Sequence, residues 1–115
     1  MRRTLHMKVG HRRISMPLED IIFLEKEKRK IIVHSRDGDI SFYGKFDEIM
    51  ECLDERFVHP HQSYVLNMDY IMRLGLYEIV LEGGAKISLG KKCFERCAKT
   101  FDGYATKRVA NASFL

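Results

Sequence analysis

Apolar positions in this chain recur in short runs with a period near two, and glycine, proline or clustered charge ends each run. Leu5 to Val9 and Arg12 to Met16 flank Gly10-His11 and predict a first hairpin. Pro17-Leu18-Glu19-Asp20 leads into a compact apolar strand, Ile21 to Glu25. After the charged stretch Lys26-Glu27-Lys28-Arg29-Lys30, strands are predicted for Ile31 to Ser35 and Ile40 to Tyr43. Asp37-Gly38 between them suits the positive φ angles of a type I′ hairpin turn. At Phe46 the period changes. Phe46, Ile49, Met50 and Leu53 follow helical spacing, with Asp47, Glu48, Glu51 and Asp54 on the other side, so a short helix with an acidic outer face is expected.

The stretch FVHPHQSYVLNMDYI, residues 57 to 71, sets two histidines around a proline in sequence that otherwise reads as strand, and Tyr64 to Leu66 and Tyr70 to Leu74 are predicted as short strands. Tyr77 to Leu81 and Ala85 to Leu89 pair across Glu82-Gly83-Gly84. A last helix begins near Lys91 and places Phe94, Cys97, Ala98 and Phe101 on one face. Beyond Gly103 no period is evident, so a domain over residues 1–103 and a tail over 104–115 are expected. Short strands, hairpin turns and two short helices predict a mostly antiparallel β domain, without the βαβ units of a nucleotide-binding fold.

A length of 115 residues suits one domain with a modest core. The net charge of +4 points weakly to a polyanionic partner. Three cysteines, Cys52, Cys93 and Cys97, form no disulfide framework. With no secretory signal behind Met1-Arg2-Arg3 and no apolar run of bilayer length, a cytoplasmic location is expected.

Two constellations invite a metal reading: His59 and His61, which strand geometry would put on one face, and Cys93 and Cys97, one helical turn apart. Known zinc spacings are missing, and Cys97 sits on the apolar helix face where a free cysteine commonly serves as a small core residue. No nucleophile elbow, phosphate-cradling glycine loop or isolated carboxylate pair points to an enzyme.

Basic residues are more informative. Lys26, Lys28, Arg29 and Lys30 crowd a strand link, where a solubilising, edge-protecting loop is the plain alternative to a functional one. Lys91 and Lys92 open the last helix, where the macrodipole disfavours cations. A phosphate would relieve that conflict, because free backbone N–H groups and lysine ammoniums would face the same anion. Gln62, Ser63 and Asn67 suit base edges or phosphate oxygens, although Asn67 before Met68-Asp69 also reads as a turn-capping residue.

Four blocks, PLEDIIFLE, GKFDEIMECL, FVHPHQSYVLNMDYIMRL and YEIVLEGGAKISLGKKCFERC, occur in an order and spacing that resembles the LytTR DNA-binding domains of bacterial transcription regulators. The resemblance covers about residues 5 to 101. It implies an elongated stack of small antiparallel β-sheets whose loops enter successive major grooves of double-stranded DNA. By position, it implies base contacts from Arg29, Lys30, Gln62 and Lys91, and backbone contacts from Lys28, His61, Ser63, Asn67 and Lys92. Gly90 departs from the serine or arginine usual before the final helix, so that readout there either shifts to Lys91 or Lys92 or is lost. The family's context further implies a two-component response regulator, direct-repeat sites and a homodimer on DNA; with no receiver domain in these 115 residues, the chain is read as either an excised domain or a stand-alone regulator. Alternatives are a β-rich protein-interaction module or a zinc-binding protein using His59, His61, Cys93 and Cys97.

Overall fold

The apolar runs become strands of three antiparallel sheets stacked along an elongated body of 53 × 34 × 24 Å. The computed structural model describes residues 3–108. β1 (Thr4–Val9) and β2 (Arg12–Pro17) form a hairpin sheet. β3 (Ile21–Glu27), β4 (Lys30–Ser35), β5 (Gly38–Tyr43), β6 (Phe57–His61) and β7 (Tyr64–Asn67) form a five-stranded sheet in the order β5-β4-β3-β7-β6. β8 (Ile71–Gly75), β9 (Glu78–Leu81) and β10 (Lys86–Ser88) form the third. A short helix α1 (Phe46–Met50) joins β5 to β6, and helix α2 (Lys91–Arg108) follows β10.

Central strands β3 and β7 are buried on both faces, which is why Ile21 to Leu24 and Val65-Leu66 are unbroken apolar runs rather than alternating ones. Leu24, Ile31, Val33 and Val65 pack on one side with Leu5, Met7 and Met16 of the first hairpin and Phe46 and Ile49 of α1. Phe23 and Leu66 pack on the other with Ile79, Leu81 and Ile87 of the third sheet and Cys97 of α2. Each fully buried leucine or isoleucine stabilises by about 1.5–3 kcal/mol. The five-stranded sheet is thereby clamped between two cores and becomes a rigid plate for the turns at its ends.

Two short 3-10 turns, Leu18–Asp20 and Met68–Tyr70, lead into β3 and β8. Asn67 joins them. Its amide nitrogen donates to the Ile21 carbonyl at 2.8 Å, and its amide oxygen accepts from the Asp69 backbone N–H at 2.9 Å. The Tyr70 hydroxyl adds a bond to the Glu19 carbonyl. Asn67 is 0% exposed, so it is not available to touch a DNA backbone, contrary to the family-based expectation. A buried amide must find internal partners, and here the turn it caps supplies one.

Local differences from the sequence reading have physical causes. The β4–β5 turn is Arg36-Asp37, with Gly38 taking φ 125° at the first ladder position of β5. The β8–β9 turn is Leu76-Tyr77, whose φ values of 52° and 61° form a left-handed pair without glycine or asparagine. Each such residue costs roughly 1 kcal/mol or more in backbone strain. Helix α2 continues past Gly103, because the Tyr104 hydroxyl donates to the Asp69 carboxylate at 2.6 Å and anchors the added turn. The rest of the expected tail, 109–115, lies outside the described residues.

Two stability outcomes follow from this packing. Asn67→Ala leaves the Ile21 carbonyl and the Asp69 N–H without their partner, and urea denaturation should register a loss of about 2–4 kcal/mol. Burial also pushes the Cys97 thiol up from 9.0 to about 11. The unfolded chain ionises first, so this contribution is intact below pH 9 and declines as pH rises toward 11. The urea midpoint of Cys97→Ala should fall less steeply across that window than that of the parent; equal slopes would remove Cys97 as a cause.

Candidate nucleic-acid interface

Antiparallel order sends particular turns to the same end of the five-stranded sheet. The end of β3, the start of β4, the end of β5, the end of β6 and the start of β7 all lie there. The β3–β4 turn, Lys28-Arg29, and the β6–β7 turn, Gln62-Ser63, therefore project from one edge. A backbone bond from the Lys26 N–H to the Ser63 carbonyl, 2.8 Å, ties the second turn to the strand that leads into the first.

Lys26, Lys28, Arg29 and Lys30 are all exposed, and Lys28 holds φ 58° at the tip. The two-residue turn forces these cations together, and among the described residues none of them forms a carboxylate ion pair. Lys30 Nζ lies 5.6 Å above the ring of Tyr43, which is 73% exposed although aromatic. Tyr43 and Lys45 line the recesses beside Lys28 and Arg29. Sequence reasoning passed over both, because only the Lys30–Tyr43 strand pairing brings them to the turn.

At the second turn, His61 Nδ1 accepts the Ser63 backbone N–H at 3.0 Å, and its ring tilts against Tyr64 with centroids 5.7 Å apart. The imidazole thus fixes the backbone of the turn while Gln62 remains exposed. Ser63 and His61 are half-buried. A glutamine held on a rigid turn can present its amide as a donor–acceptor pair to a planar partner.

The third predicted segment starts α2. Lys91 and Lys92 are exposed, the first intrahelical bond runs from the Phe94 N–H to the Gly90 carbonyl at 2.9 Å, and the first turn contains no acid. Cys93 and Phe94 pack into the same cluster as Tyr64 at the start of β7. Tyr104, roughly 20 Å further along the helix, bonds Asp69 just beyond the other end of β7. The helix start consequently lies toward the end that carries Gln62. Arg96 and Lys99, at helical spacing from Lys92, border the same recess with Glu95. Their spacing was the signal that could have found them.

The histidines and cysteines do not assemble. The ladder between β6 and β7 slips between Val58 and His61, so the spacing of two no longer gives both histidines the same neighbours. His59 meets Phe46 edge-on at 5.3 Å, while His61 serves the turn. Cys97 is buried in the core among Phe23, Leu66, Ile79 and Leu81, where it packs as a small apolar residue. Among the described residues no group of three or more histidine, cysteine or acidic side chains is arranged to hold a metal.

The chain is similar to known proteins in sequence and in fold. Accessory gene regulator protein A of Staphylococcus epidermidis is 30% identical over 93 residues, which cover 79% of this chain and 37% of that protein. Its Staphylococcus aureus namesake is 33% identical over 66 residues, 56% of this chain and 27% of its own. The chain spans well under half the length of either. A solved LytTr DNA-binding domain from Bacillus cereus shares the fold at a TM-score of 0.73 and 15% identity, covering 87% of this chain and 97% of that one. The profile of the LytTr DNA-binding domain family matches residues 11–102, from the turn of the first hairpin into α2, and the chain belongs to that family.

Proposed function

We propose that this chain binds double-stranded DNA sequence-specifically, as the DNA-reading part of a bacterial transcription regulator, by laying its turns into successive major grooves. The observation that carries the reading is the joint projection of Lys28-Arg29 and Gln62-Ser63 from one sheet end, tied through Lys26 and Ser63. Arg29, Lys30, Gln62 and Lys91 would meet base edges. Lys28, Ser63 and Lys92 would meet phosphates, with His61 positioning the Gln62 turn. Arginine pairs well with guanine O6 and N7, and glutamine with adenine N6 and N7. Lysines at the start of α2 lie against the macrodipole, so an anion placed there is favoured by both the free N–H groups and the side chains.

The proposal includes direct-repeat sites, two copies on one duplex, and a receiver domain elsewhere in the full regulator. It assigns the chain no catalytic step and places it in the cytoplasm. Among the described residues, no helix is long and apolar enough to cross a membrane.

Selection of bound duplexes from a random library tests the reading: one motif should be enriched, and failure to enrich any would overturn sequence-specific binding. On the selected duplex, Gln62→Ala should lose affinity by about 1–3 kcal/mol, with little loss on a scrambled duplex. Equal losses on both would remove Gln62 from base reading. Lys92→Ala should weaken binding to every duplex and lower the logarithmic salt slope by about one. An unchanged slope would take Lys92 off the phosphate.

A further inference from the structure

Leu76 is an apolar side chain placed where the core does not use it. It is 98% exposed, at the first position of the two-residue turn between β8 and β9. Both residues of the turn are left-handed, at φ 52° and 61°, a conformation that ordinarily selects asparagine or glycine. Backbone strain and full exposure of a large apolar group both run against folding preference. That combination points to a task outside the core.

The turn's location identifies the task. Tyr77 is the anchored half: its carbonyl accepts the Leu89 N–H at 2.9 Å, and its ring meets Phe94 edge-on at 5.5 Å. Ser88 pairs with Glu78, so β10 ends beside this turn and passes through Gly90 into Lys91 and Lys92. Leu76 thus projects next to the basic start of α2. The exposed apolar groups at the tip are Leu76 and the half of Tyr77 that Phe94 leaves uncovered, 48% exposed, two side chains against the roughly 20–30 residues a side that a stable protein interface buries. An apolar knob beside the basic start of α2, where Lys91 would meet a base edge and Lys92 a phosphate, fits a major groove, where the one apolar landmark is the C5 methyl of thymine.

We infer that Leu76 is a specificity-determining contact to a thymine methyl, adjoining the step approached by Lys91. The inference rests on the DNA-binding reading above and adds to it a residue and a base. Removing the methyl from the partner tests it without altering any hydrogen bond. Each thymine of the selected duplex is replaced singly by deoxyuridine, and affinities are measured for the parent, Leu76→Ala and Leu76→Asn. Asparagine tolerates the left-handed backbone, so the second variant keeps the turn even where alanine strains it.

The parent should lose about fourfold at one thymine, the fold-change that burying one methyl carries. Both variants should lose a similar factor on the thymine duplex and nothing further when that thymine becomes uracil. Indifference of the parent to every replacement, parent-like affinity of both variants, or losses that multiply independently would each overturn the assignment. So would a parent that self-associates in sedimentation through Leu76 and is indifferent to uracil, an outcome that assigns the knob to a second copy. If the parent enriches no duplex, the DNA-binding reading falls and this contact with it. If it enriches one and ignores uracil, only the Leu76 assignment falls.

Discussion

A single buried amide governs how the layers meet. Asn67 ends a strand of the central sheet, caps the 3-10 turn that enters the third sheet, and reaches back to the carbonyl that begins β3. Water is excluded there, so each polar group depends on the other being in place. The Tyr70–Glu19 bond repeats the connection between the same two turns. Because the two cores lie on opposite faces of β3 and β7, a shift at this junction would disturb both at once.

The arrangement of the candidate surface follows from that rigidity together with simple topology. In an antiparallel sheet, alternate turns exit at one end, and here those turns carry Arg29 and Gln62. The cations at that end repel one another in the free protein. Holding them close requires a backbone with little freedom to spread, which the two-residue turns and the Lys26–Ser63 bond provide. Lys30 above the Tyr43 ring is the local relief the fold offers.

Much of the strand layout was legible because its turns carry ordinary signals: Gly10, Gly38, and Gly83-Gly84. Leu76-Tyr77 carries none, so its left-handed pair escaped a reading based on turn-prone residues. Arg29, Gln62 and Lys91 were legible as candidate positions because each follows from where a strand or helix starts or stops. Asn67 was misassigned to the surface because its main partner is 46 residues away and burial has no local signature in an amide. The continuation of α2 was hidden for the same reason, since Tyr104 is anchored by a residue 35 positions earlier. Tyr43 and Lys45 needed the strand register, which apolar alternation alone does not specify to the residue.

The 2.8 Å bond between Lys26 and Ser63 has a consequence for the kind of site this chain can tolerate. It makes the two turns jaws of one caliper rather than independent fingers. Under the proposed reading, the distance between the bases they meet is set by the protein, and the duplex has to match it. An extra base pair between those steps lengthens the helix by roughly 3.4 Å and rotates one step away from its jaw. Such a surface reads spacing as strictly as it reads letters.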